Sequence, residues 1–383
     1  RMVEGQDPIP KGRKIWRTHG EDHVRWVNET GVERTLTFQP GIWPFEEDQI
    51  SIVIPARNEE HTIGGCLLAL RQQSIGPEQL EVIVVVAGDD RTAEVVAREG
   101  ADHFGRLEIV PLGAGNKNAA LQAGCARALG EVVLLLDADT ELAATAVAEI
   151  LRALDAHPGA VAHGAATPRV DTWVSRYWEL NRRLLKDLRF DGTLSGEVVA
   201  LPRAALRPED LAQLFPADVY SQDDLYLGRA LQKRGWQVTY AARARATTLV
   251  PFTWHGLIVT LLRSRRGAMQ VLPLPTAGLQ AGKSAVLLAA LPAALLASTR
   301  SSVLALGCAT PLLLHVTSAI WRVEALRRRG FGDFRRELPA YVGIDLLARS
   351  FKLWAFLERL GGRQAPLTFR GERPSGPPAA SAR

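Results

Sequence analysis

The sequence predicts an α/β protein. A mostly parallel sheet is followed by a C-terminal hydrophobic helical hairpin and an amphipathic helix. Three observations predict it. Runs of β-branched residues and leucine at 50–54, 80–86 and 132–136 read as strands buried on both faces. Helical apolar spacing lies around them, at 61–73, 92–99, 117–129 and 144–155, and such alternation builds a parallel sheet. Near the C-terminus come two stretches without formal charge, 284–299 and 301–321.

The elements follow in order. Residues 1–48 form an N-terminal extension with Pro8, Pro10, Pro40 and Pro44 and one expected hairpin, 24–27 with 35–38, turning at Thr30-Gly31. The main domain spans 49–270. After Pro168 the regularity weakens: 174–189 reads as an amphipathic helix, 198–201 and 238–240 as strands, and 223–233 as a helix closed by Gly235. The hydrophobic region is 271–321. Its first stretch of 16 residues is too short to cross a bilayer core of ~30 Å, while the second, of 21, is long enough. Pro292 and Pro311 are expected to kink both. A shallow membrane hairpin and a pair of core helices are both compatible with this pattern. Lys283 before it and Arg322, Arg327, Arg328, Arg329, Arg335 and Arg336 after it place both ends on the cytosolic side. Residues 322–362 are basic and amphipathic. Leu346, Leu347, Phe351, Trp354 and Leu357 stand against Arg349, Lys352, Glu358 and Arg359, which suits a membrane surface or packing on the main domain. A tail, 363–383, reads as disordered.

Composition narrows the function. The 383 residues suit one large domain with appendages. A net charge of +5 fits an anionic substrate, an acidic membrane surface or plain solubility. No Lys/Arg block is interleaved with aromatics, which argues against nucleic acid. Cys66, Cys125 and Cys308 show no metal spacing and read as small apolar residues in a reducing compartment. The first 48 residues show no signal-peptide pattern, so the main domain is expected in the cytosol.

Asp137-Ala138-Asp139 follows the third strand and sets two carboxylates at the carboxyl edge of the sheet. Oxygen ligands suit Mg²⁺ or Mn²⁺, which could hold a nucleotide diphosphate. Pro55, Arg57, Asn58 and Glu59 end the first strand; they serve either a base and ribose or the capping of the next helix. Asp89 and Asp90 end the second with the same two options. Lys117 opens a helix after a glycine-rich turn, where it could meet phosphate or lie in solvent. Asp223 and Asp224 begin a later helix, a position that suits capping as well as chemistry. His255, beside Trp254, reads as a packed histidine or a gate.

Taken in order, Ile52-Val53-Ile54-Pro55-Ala56-Arg57-Asn58-Glu59-Glu60, Asp89-Asp90-Arg91-Thr92, Asn116-Lys117-Asn118-Ala119-Ala120-Leu121 and Asp137-Ala138-Asp139 resemble the family 2 glycosyltransferases. The resemblance runs from about residue 51 to 267. It implies a GT-A fold, a UDP- or GDP-sugar donor and an inverting displacement. It implies that Asp137 and Asp139 hold the metal, with Pro55, Arg57, Asn58, Glu59, Asp89, Asp90 and Lys117 lining the donor site. Ser195, Gly196 and Glu197 resemble the family's acceptor-side strand. Asp223-Asp224 resembles its Glu-Asp segment, whose second carboxylate is the general base, so Asp224 takes that role with Asp223 standing where Glu is usual. Arg263 and Arg266 lie where processive members carry a Gln/Arg-x-x-Arg-Trp motif, and either could clamp diphosphate; the tryptophan is absent.

The expected function is metal-dependent hexosyl transfer from a nucleotide sugar to a lipid or glycan acceptor at the cytosolic face of the cell membrane. Three alternatives are a component of a polysaccharide or cell-envelope glycan synthase, a nucleotidyltransferase, and a membrane protein that only binds nucleotide sugars.

Overall fold

The computed structural model describes residues 23–27, 33–37, 50–101, 103–113, 116–188, 190–219 and 221–362. Strands β1 (His23–Val27) and β2 (Glu33–Thr37) pair antiparallel, Val24 opposite Leu36, as the expected hairpin. Its turn, Phe38 and the 363–383 tail lie outside the described residues.

The main sheet begins with β3 (Ile50–Arg57), α1 (Ile63–Arg71), β4 (Leu80–Ala87), α2 (Thr92–Gly100) and β5 (Arg106–Pro111). Helix α3 (Lys117–Cys125) leads to β6 (Val132–Leu136), β7 (Thr140–Leu142) and α4 (Ala146–Ala156). Then come β8 (Ala160–Pro168), α5 (Trp173–Lys186), β9 (Val198–Pro202), α6 (Leu211–Leu214), α7 (Asp223–Lys233) and β10 (Gln237–Thr248). In space the order is β5-β4-β3-β6-β9-β8-β10-β7. Strands β5, β4, β3 and β6 are mutually parallel, and β8 is parallel to β10. Strand β9 runs antiparallel to β6 and β8, and β7 to β10. The sheet is mixed but mostly parallel.

Alternation along β3 explains the two helical layers. Ile52 and Ile54 enter one core with Ile63, Cys66, Leu67 and Leu70 of α1, whose spacing is one helix face. Val53 points the other way, into a core with Ala120 and Leu121 of α3 and Leu227 and Leu231 of α7. Fully buried Glu81 accepts from Leu129 N at 2.7 Å and pairs with Arg106 on β5, fastening β4 to the turn before β6. Arg106 also meets Glu108 at 2.8 Å, and Glu108 meets Arg127 at 3.2 Å, so a run of ion pairs lines the open edge at β5.

Strands β5, β7 and β8, and most of β10, are absent from the sequence reading. Strand β8 is largely Ala, Gly and Thr, and β10 interleaves Ala with Arg, so neither carries a β-branched run. Their place is set by the sheet they join, which overrides local preference.

The C-terminal region is α8 (Trp254–Val271), α9 (Leu274–Ser298), α10 (Ser302–Arg328) and α11 (Leu338–Leu360). Helix α9 corrects the sequence reading: it starts before the charge-free run, crosses Lys283, and its 25 residues span ~37 Å. Both α9 and α10, of 25 and 27 residues, are long and apolar enough to cross a membrane. They run through Pro292 and Pro311 without interruption. Tyr341, Ile344 and Ala348 of α11 share a core with α5, α8 and α10, while Trp354, Leu357 and Leu360 stay exposed.

Candidate active site

The carboxyl ends of the strands gather most of the predicted residues. After β3, Asn58 adopts a left-handed conformation with φ 57°. Its Oδ1 accepts from Asp89 N at 3.1 Å, across from Gly88, where φ is 101° and a Cβ would collide with that oxygen. Asp90 Oδ2 accepts from Glu60 N at 3.0 Å, and Oδ1 accepts from Thr92 N at 3.1 Å. Glu59 is buried, donates through its N–H to Thr92 Oγ1 at 2.8 Å and accepts from Thr62 Oγ1 at 2.6 Å. Asn58, Glu59 and Asp90 thus clasp two loops together. Asp89 and Arg57 are exposed at the rim, and Pro55 lies within β3 itself.

At the end of β6 the geometry is tighter. Lys117 Nζ, in the first turn of α3, sits 2.5 Å from Asp137 Oδ1 and 3.5 Å from Asp223 Oδ2. Burial opposes its charge, but Asp137 and Asp223 outweigh it and hold Lys117 well above the ordinary lysine range. Burial and the Asp137 charge push Asp139 up to about 6. Thr248 Oγ1 donates to its carboxylate at 3.3 Å, and Arg169 donates to its carbonyl at 2.6 Å. Asp224 is likewise pushed up to about 6, by burial and then by Asp223. Its Oδ1 accepts from Leu225 N at 2.8 Å.

Asp137, Lys117, Asp223, Asp224 and Gly196 line one cleft of about 330 Å³. Gly196 keeps that wall close to the base: a Cβ would lie 3.2 Å from the Asp224 Cβ, a tight contact that would press on it. Glu197 accepts from Asp137 N through its carbonyl at 3.2 Å, and its carboxylate pairs with Arg182. Ser195 faces a neighbouring cleft of about 360 Å³ with Arg182, Lys186 and Tyr240.

The two candidate arginines separate. Arg263 is exposed, and its carbonyl accepts from Ser221 Oγ at 3.3 Å. Arg266 is committed to α11, with bonds of 3.0 and 2.9 Å to Glu358 and its guanidinium 4.1 Å from the Trp354 ring. His255 is exposed rather than packed. Thr248, Arg169, Arg182 and Lys186 are site neighbours that the sequence reading misses. Thr248 ends β10 and Arg169 directly follows β8, where strand limits were not legible, while Arg182 and Lys186 lie on α5, whose helix was read but not its approach to the site.

The residues at 137 and 139 fit a hard divalent cation. Both donors are oxygen, and Asp139 is held basic by burial and by the Asp137 charge, a strain that a cation relieves. Among the described residues no group of three or more His, Cys, Asp and Glu could hold a metal, so two carboxylates leave the other positions to water or substrate.

Residues 51–214 match the model of Glycosyl transferase family 2. An N-acetylglucosaminyltransferase from a Rhizobium species is 24% identical over 58% of this chain and 54% of its own. A dolichyl-phosphate beta-glucosyltransferase of Trichomonas vaginalis is 38% identical over 24% of this chain and 30% of its own. The chain spans about half the length, or less, of the curated relatives it matches. A mannosyltransferase from Pyrobaculum calidifontis, solved with GDP-Man and Mn²⁺, covers 84% of this chain and 91% of its own at 19% identity, with a TM-score of 0.52. That likeness is one of fold, and the fold is GT-A. The family match runs over residues 51–214, which hold the parallel half of the sheet and the carboxylates at 137 and 139, so this part of the chain is similar to Glycosyl transferase family 2.

Proposed function

We propose that the chain transfers a sugar, with inversion, from a UDP- or GDP-sugar to a lipid-type acceptor presented at the cytosolic face of a membrane. The observation that carries this reading is the Asp137–Lys117–Asp223 bridge, with Asp224 next to it in the same cleft. It sets positive charge for a leaving diphosphate beside a carboxylate able to take a proton.

Asp224 accepts the proton of the acceptor hydroxyl as its oxygen bonds the anomeric carbon. The bond from that carbon to the diphosphate breaks, and its electron pair leaves with the diphosphate. One in-line displacement inverts the centre. Lys117 and Arg263 neutralise the departing charge. Asp137 and Asp139 would hold Mg²⁺ or Mn²⁺, which supplies Lewis-acid stabilisation of the diphosphate when bound. Arg266 braces α8 against α11. Asn58, Glu59 and Asp90 shape the nucleotide edge, with Arg57, Asp89 and Pro55 around it.

The lipid acceptor is supported by the exposed apolar hairpin and by the dolichyl-phosphate relative. A glycan acceptor is the second reading. In the Ser195 cleft Arg182 pairs with Glu197, Arg183 with Asp187 and Lys186 with Asp191, a balance suited to hydroxyls.

Thermal shift across UDP-, GDP-, dTDP- and CMP-sugars, with and without Mn²⁺, tests the donor site. A shift with one nucleotide that needs metal and disappears in Asp139→Ala supports the reading. Metal-independent affinity, equal in the variant, removes Asp139 from it. Transfer assays with polyprenyl phosphate and oligosaccharide acceptors then separate the two acceptors.

A further inference from the structure

Alongside the lower half of α10, from His315 to Arg322, three helices bring together more positive charge than negative. Arg265 of α8, Arg322 of α10 and Arg349 of α11 lie near enough to act on Tyr341 electrostatically, and Arg265 and Arg349 act in the same way on Lys352 of α11. The anion among them is Asp345, shared between Arg349 at 2.7 Å and His315 at 3.3 Å. Arg265 Nε is shut off from solvent and has no acceptor among the described residues. Lys352 is partly buried and titrates at about 8, pushed down by burial and then by Arg265 and Arg349. Cations left without counter-charge in such a place cost free energy, which an anion recovers.

The height of the cluster indicates which anion. From Ser302 to His315, α10 rises ~20 Å. Half of the hydrocarbon core is ~15 Å, with headgroups just beyond. A hairpin entering tip-first to the bilayer midplane therefore leaves His315 and Asp345 at the level of the near leaflet's phosphates. The cluster is also separate from the chemistry: the cleft of Asp224 is lined by Lys117, Asp137, Gly196 and Asp223, and by none of Arg265, Arg349 and Lys352.

We propose that Arg265, Arg349 and Lys352 form a site for the phosphate of an anionic lipid headgroup. The site rests on the membrane-docked reading above. Helix α8 links it to the transferase domain, since Gln222 Nε2 donates to Ser264 Oγ at 3.2 Å, one residue before Asp223.

Flotation of the full chain with phosphatidylcholine vesicles, and with vesicles containing phosphatidylglycerol, tests it. Each engaged cation contributes about fivefold to partitioning onto the anionic surface. Lys352→Gln and Arg265→Gln should each lose that factor on phosphatidylglycerol, keep wild-type flotation on phosphatidylcholine, and melt as the wild type does. Lys352→Arg should restore it, and Arg336→Gln, at an exposed arginine, should lose less. An equal loss in Arg336→Gln overturns the site in favour of diffuse charge. Wild-type flotation on both vesicles alike overturns the site and leaves the docking reading standing. Flotation on neither removes both. Inorganic phosphate that erases the preference at matched ionic strength assigns the cluster to free phosphate and overturns the lipid.

Discussion

The sheet and the hairpin are built from the same kinds of residue and use them in opposite ways. Ile52 and Val84 are fully buried, whereas Leu296 and Val303 are 74% and 80% exposed. Hydrophobicity alone does not distinguish the two regions. What differs is the partner: the inner strands β3 and β4 carry helices on both faces, while the outer surface of α9 and α10 has no protein against it among the described residues. An exposed apolar surface of this extent marks a contact with something else, and the transferase reading supplies a bilayer.

The largest expected effect lies in the sheet region. Asp224→Asn should lower turnover by about 10²–10⁴-fold and leave nucleotide binding by thermal shift unchanged. Unchanged turnover would take Asp224 out of the base role. Next, one substitution type at two places sharpens the contrast. Ile52→Ala should cost about 2–5 kcal/mol in urea unfolding, and Leu296→Ala less than about 0.5 kcal/mol. Equal losses would mean that the hairpin packs against protein instead. A glutamate at the tip, Val303→Glu, should leave melting unchanged and reduce vesicle flotation.

Smaller effects probe the fit around the base. Gly196→Ala sets a methyl against Asp224 and should lower kcat by about tenfold through misplacement, with little change in melting temperature. Titration comes last. Because Asp224 is held at about 6, activity should fall as pH drops through that value, and Asp223→Asn should move the acid limb lower by removing a like charge. Stability carries the opposite sign. The folded chain holds this proton more tightly than the unfolded one, so ionising Asp224 costs stability as pH rises from about 4 to about 6. An acid limb that stays in place in Asp223→Asn assigns it to another group.

Much of the parallel half of the sheet was legible because β3, β4 and β6 are consecutive apolar runs, which only a doubly covered strand tolerates. In the second half β9 was legible at 198–201, but β7, β8 and most of β10 were not. Strands β8 and β10 hold small residues and arginine, and their burial comes from neighbours rather than from their own pattern. The carboxylates at 137, 139, 223 and 224 were visible as residues after a strand or at a helix start. Their union through Lys117 was not, because it depends on α3 and α7 converging over the edge of β6. For the same reason the clasp made by Asn58 and Asp90 was readable only as two separate capping options. Helix α9 was read too short because Lys283 ended the charge-free run, although the helix itself continues through it.

The run of ion pairs along β5 has a consequence for crowding. A protein confined to a bilayer meets its copies in two dimensions, where local concentration is high and open sheet edges invite strand addition. Here one edge carries Arg106 and Glu108, and the other is β7, only three residues long. Charged and shortened edges of this kind resist pairing with another chain. Under the membrane-docked reading, the chain is thereby suited to dense packing on a surface without its sheets joining into fibres.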